Sequence, residues 1–147
     1  MANPSLNRVI NWSSSLLLML TLVAPASHAG PPVAPFTLDY HLKSEGIPFT
    51  VTATRTLKPV KNGLWEMQVQ AKNWLGEIRE ITLFDWQQCI PESTYYGYYR
   101  RGLGRVKEAK LHLDREAGVA ASERTDKPTR SYPITDEATD ELSVSLA

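Results

Sequence analysis

The chain has 147 residues, 16 basic and 16 acidic side chains, 42% hydrophobic residues and a single cysteine, Cys89. That length suits one domain. The charge balance excludes a sequence-wide attraction to nucleic acid or acidic membranes, and one cysteine excludes an intramolecular disulfide.

The first elements in the chain are targeting signals rather than fold. Arg8 gives a weakly positive start, residues 16–24 form a short apolar run, Pro25 breaks it, and Ser27-His28-Ala29 places small residues before Gly30. This order is that of a secretory signal peptide cleaved between Ala29 and Gly30. Ala24-Pro25-Ala26 offers a second cleavage site. The run is about half of the ~20 apolar residues a membrane-spanning helix needs, so no transmembrane segment is expected in the processed chain. The expected location is the periplasm. Residues 30–35 form a Pro-rich lead-in, and residues 36–147 a single domain.

From Phe36 the pattern becomes periodic. Phe36, Leu38, Tyr40 and Leu42 alternate with Thr37, Asp39, His41 and Lys43, which predicts a half-buried strand. Glu45-Gly46 turns the chain. Phe49, Val51, Ala53 and Leu57 share the next strand face, interrupted by Arg55, with threonines on the other face. After the Asn62-Gly63 turn, Trp65, Met67, Val69 and Ala71 face in and Glu66, Gln68, Gln70 and Lys72 face out. Three such runs predict an antiparallel meander with one wet face.

Residues 78–86 are apolar on both faces, which fits either a strand covered on both sides or a bulge that switches its face. A tyrosine-rich strand follows over 94–101, then the tight turn Gly102-Leu103-Gly104, a strand over 106–113, a turn at 115–118 and a short strand over 119–124. The last segment reads as a helix. Thr135 would cap it, Asp136 and Glu137 suit its first turn, and Ala138, Leu142 and Leu146 recur every fourth residue. No stop signal follows Leu146, so the pattern is expected to continue in a longer protein and residues 30–147 alone to be marginally stable. The fold expected is mainly β: a twisted, half-open barrel-like antiparallel sheet of about six or seven strands, with one C-terminal helix packed on its apolar face.

Pro35-Phe36-Thr37-Leu38-Asp39-Tyr40, Ala53 to Leu57, Tyr98 to Arg105, Leu111 to Asp114 and Asp140-Glu141-Leu142-Ser143 together resemble an exported proteobacterial family of domains of unknown function, DUF3108. The resemblance covers most of the chain after residue 35 and corresponds to the N-terminal half of that family. It implies an envelope location and a β-rich fold, and no established activity.

The densest cluster of chemistry-bearing side chains is Tyr95, Tyr96, Tyr98, Tyr99, Arg100, Arg101 and Arg105. Interleaved aromatic and guanidinium groups can stack on rings and hold anions. Tyr96, Tyr98, Arg100, Arg101 and Arg105 are therefore the candidate ligand-binding residues. The competing reading is cross-strand tyrosine pairing with solvated arginines. His41 and His112 lie near Asp39 and Asp114, but the spacing supplies too few ligands for a metal site, and both read as exposed. Cys89, beside Ile90-Pro91, reads as a buried structural thiol. No hydrolase elbow, phosphate loop or zinc-protease motif occurs. The expected function is non-catalytic, with no cofactor and no metal: binding of an apolar or lipid-like ligand or an envelope component. The alternative is a structural or assembly protein acting through sheet edges and the Tyr/Arg-rich strand.

Overall fold

Period-2 alternation puts apolar residues on one side of an extended chain, and such strands bury that side only by pairing into a sheet. The computed structural model describes residues 32–43, 45 and 50–146. It contains β1 (Phe36–Leu42), β2 (Val51–Pro59), β3 (Trp65–Asn73), β4 (Gly76–Gln87), β5 (Ile90–Gly102), β6 (Arg105–Asp114), β7 (Val119–Arg124) and β8 (Lys127–Pro133). All eight form one sheet in chain order, each antiparallel to its sequence neighbour. The count exceeds the expected six or seven because β8 is exposed at every position. A strand with no buried face has no alternation to read.

Register sorts the side chains into two faces. Leu57 lies opposite Met67, Met67 opposite Thr82, Thr82 opposite Tyr96, and Tyr96 opposite Leu111. This inner face carries a core of Leu57, Trp65, Met67, Phe84 and Leu142, with Phe36, Val69, Trp86, Tyr96 and Leu146 packed around it. Trp86 meets Phe84 edge-on at 5.1 Å and Trp65 at 6.4 Å. Each fully buried large apolar side chain contributes about 1.5–3 kcal/mol. The mixed pattern of 78–86 does not come from a face switch within β4. The register shifts where Leu83 faces Tyr95 and Phe84 faces Ser93, so Thr94 is an extra residue on β5. The bulge lies on the partner strand, and β4 keeps strict alternation, with Thr82 and Phe84 buried on the inner face.

The expected C-terminal helix does not form; residues 143–146 make only a short 3-10 turn. A helix would use its own carbonyls in i to i+4 bonds. Here the Arg115 guanidinium donates to the carbonyls of Asp136 (2.6 Å) and Ala138 (2.6 Å). The Asp140 carboxylate accepts the amides of Leu142 (2.8 Å) and Ser143 (2.9 Å) and the hydroxyls of Thr82 (2.7 Å), Ser143 (2.9 Å) and Ser93. Contacts to the sheet thus replace helical bonding, while Leu142 still becomes buried.

The half-buried face expected of Phe36 to Leu42 also needs correction. Leu38 (45% exposed), Tyr40 and Leu42 on edge strand β1 remain open to solvent, and Leu111 is only half-buried. Phe49 and the expected signal segment, with the Ala29/Gly30 cleavage expected there, lie outside the described residues. Cys89 is exposed in the β4–β5 turn, not buried. Among the described residues, no helix is long and apolar enough to cross a membrane.

Candidate functional site

The C-terminal segment covers only the half of the inner face near the β2–β3 and β4–β5 turns, where Leu57, Trp65 and Phe84 lie. The other half, toward the β3–β4 and β5–β6 turns, carries Val51, Ala71 and Ile78 with nothing packed over them among the described elements. These turns are neighbours because Gly76 pairs with Gly102. Gly76 permits that approach: a Cβ there would press on the Arg101 carbonyl oxygen.

Between them opens a groove of about 350 Å³, walled by Val51, Ala71, Leu75, Ile78 and Leu103, with Arg100 and Arg101 at its mouth. That volume lies at the lower end of the roughly 300–1,000 Å³ found for small-molecule sites. Lys72, Arg100 and Arg105 make no ion pair among the described residues. Their charge is therefore available to a ligand.

The five candidate residues do not converge on one point. Tyr96, Tyr98 and Arg100 face inward, Arg101 faces outward with Tyr95 and Tyr99, and Arg105 sits exposed beyond the turn. Burial, together with the charge and hydrogen bond of Glu80, pushes the Tyr96 phenol well above its ordinary pKa, so it is a neutral hydrogen-bonding group. Tyr98 lines a separate cleft of about 290 Å³ beside Lys107, Ala109 and Arg124. On the outer face the plainer reading holds. Tyr95 packs on His112 with ring centroids 5.0 Å apart, and Arg79, which sequence reasoning did not single out, lies 5.5 Å over the Tyr99 ring. Arg79 also donates to Glu77 at 2.7 Å, as does Gln70 at 2.7 Å, and Arg101 lies 3.7 Å away. The hydrogen bonds from Arg79 and Gln70 hold the Glu77 carboxyl below the usual carboxylate range.

His41 and His112 are exposed, and no group of three or more histidine, cysteine, aspartate or glutamate side chains is placed to hold a metal among the described residues. Sequence reasoning missed the groove walls Leu75 and Leu103, because each stands in a turn where periodicity carries no signal. It also missed the Asp140 anchor, where the helical pattern masked a side chain that belongs to the sheet. Comparisons with protein-family models, with curated proteins and with solved structures find no match to this chain.

Proposed function

We propose that this is an exported, non-catalytic binding protein of the bacterial envelope that takes an apolar or lipid-like ligand. The observation that carries this reading is the uncovered half of the inner face, an apolar groove also lined by Lys72 and Arg100, which make no ion pair among the described residues. Such a site suits an acyl chain with an anionic head: the walls remove apolar surface from water, and Arg100 and Lys72 meet the charge. The apolar run at 16–24, the small residues before Gly30 and the resemblance to DUF3108 support export. Organic extraction of the purified full-length chain, followed by mass spectrometry, is expected to release acyl lipid. Ile78→Asp, at a position already 41% exposed, is expected to abolish that recovery without unfolding the chain. Absence of lipid from the wild type, together with no binding of a fluorescent fatty acid, would overturn the reading.

The assembly alternative narrows. The Tyr/Arg-rich strand β5 is paired on both sides, by β4 and β6, so its backbone cannot recruit another chain. Among the described residues only β1 and β8 present free edges. A stable protein partner without lipid would favour that alternative.

A further inference from the structure

The β3–β4 turn ends in Trp74-Leu75 and the β5–β6 turn in Leu103-Gly104, side by side at one end of the sheet. Trp74 is 78% exposed and Leu103 88%, among the most exposed large apolar side chains of the molecule. The flanking strand ends are basic. Residues 72–79 and 100–107 hold Lys72, Arg79, Arg100, Arg101, Arg105 and Lys107 against one acid, Glu77. The opposite end is more acidic: Asp85, Glu92, Asp114, Glu116, Asp136 and Glu137 lie in or beside the β4–β5 and β6–β7 turns and the segment after β8, against Lys58, Lys61 and Arg115.

Two local costs accompany this arrangement. Arg100 lies directly opposite Lys107, a like-charge pair that disfavours the sheet. Leu103 takes a left-handed backbone at φ 50, although asparagine suits such a turn better, as Asn62 does at φ 61 before Gly63. Neither feature helps the fold, and both place apolar or cationic groups at the same tip.

The geometry points to a membrane-docking end: Trp74, Leu75 and Leu103 enter the headgroup layer of a bilayer while Lys72, Arg100, Arg101, Arg105 and Lys107 pair with anionic lipid phosphates. Tryptophan favours the boundary between headgroups and acyl chains, and each basic residue near an anionic surface adds attraction that salt screens. The chain's end-to-end charge separation orients this tip toward the membrane and the acidic end away. Nucleic acid fits less well, because Leu75 and Leu103 beside Trp74 offer no hydrogen bonds to phosphate or base edges. Docking rests on the tips alone and does not need an occupied groove. Fatty-acid titration without vesicles reads the groove and vesicle binding reads the tips, so either can fail separately.

The test uses the full-length chain and vesicles of phosphatidylcholine, with or without phosphatidylglycerol, including lipids brominated in the acyl chain. Wild type is expected to partition onto the anionic vesicles and to lose tryptophan emission to bromine. Trp74→Phe is expected to lower that quenching; Trp12, Trp65 and Trp86 are common to both chains, so the difference reports Trp74. The triple variant Arg100→Gln, Arg101→Gln, Arg105→Gln is expected to lower partitioning on the order of a hundredfold. Leu103→Asn, which suits the turn better than leucine, is expected to weaken binding while the thermal transition stays cooperative and moves up slightly. Equal quenching in wild type and Trp74→Phe would overturn the proposal. So would equal partitioning onto neutral and anionic vesicles. Sedimentation showing that these tips instead join two copies of the chain, with no vesicle binding, would also overturn it.

Discussion

Leu103 and Asn62 occupy equivalent positions in two turns of similar backbone, each followed by a glycine at positive φ. A left-handed conformation costs an ordinary side chain about 1 kcal/mol relative to glycine or asparagine. Leu103→Asn is therefore expected to raise stability by roughly 0.5–1 kcal/mol in urea unfolding. Asp140 shows the opposite dependence. It is buried and accepts hydrogen bonds from three side-chain hydroxyls and two amides. Asp140→Ala leaves those donors unsatisfied and is expected to cost about 2–4 kcal/mol. Tyr96 makes stability depend on alkaline pH. Its folded-state pKa lies above the ordinary 10.0, mainly through burial and secondarily through Glu80. The resulting stabilisation is complete below that ordinary value and is lost as pH rises above it. Tyr96→Phe is expected to flatten the alkaline decline in melting temperature relative to wild type.

At the scale of elements, the two central hairpins depend on close backbone approach where their turns meet. Gly76→Ala forces a Cβ against the backbone of Arg101, and the carbonyl there cannot swing away as a flexible side chain would. A loss of about 1–3 kcal/mol is expected, together with disturbance of the groove that these turns frame. The edge strands are protected unequally. β8 carries Lys127, Pro128, Arg130 and Pro133, which discourage pairing with another chain, whereas β1 leaves Leu38, Tyr40 and Leu42 exposed. Leu38→Lys is therefore expected to reduce any concentration-dependent association seen by sedimentation. It should do so with little change in stability, since Leu38 buries only part of its surface.

Across the whole molecule, sequential hairpin pairing makes the sheet a chain of local contacts, and the C-terminal segment supplies its longest-range ties. Asp140 reaches Thr82 and Ser93, Ser145 meets the Arg55 guanidinium, and Arg115 holds the carbonyls of Asp136 and Ala138. Contacts so distant in sequence carry the largest loop-closure cost, so they are expected to form late in folding. Asp140→Ala should then mainly speed unfolding and barely slow folding, as a stopped-flow chevron would show. The same segment divides the inner face into a covered half, which stabilises the sheet, and a half left open among the described residues, where the proposed ligand would bind.

Much of the β architecture was legible because alternation is a local property. Phe36 to Leu42 and Trp65 to Ala71 declare their faces two residues at a time, and Asn62-Gly63 announces its turn by backbone preference alone. Where a strand has no buried side, as in β8, the same rule is silent. The every-fourth spacing of Ala138, Leu142 and Leu146 identified residues that pack on the core but misassigned their backbone. A helix competes with the sheet for the same carbonyls and amides, and Arg115, Thr82 and Ser93 decide that competition from 20 to 60 positions away. The Tyr/Arg cluster was visible as composition, yet its division between two faces follows from register and from the bulge at Thr94. The groove and the apolar tip arise because the pairing of Gly76 with Gly102 brings two separate turns together. Chain chemistry alone determined which residues could face a core. Only the tertiary structure decided which of them are covered, because coverage depends on where a distant segment finds its hydrogen bonds.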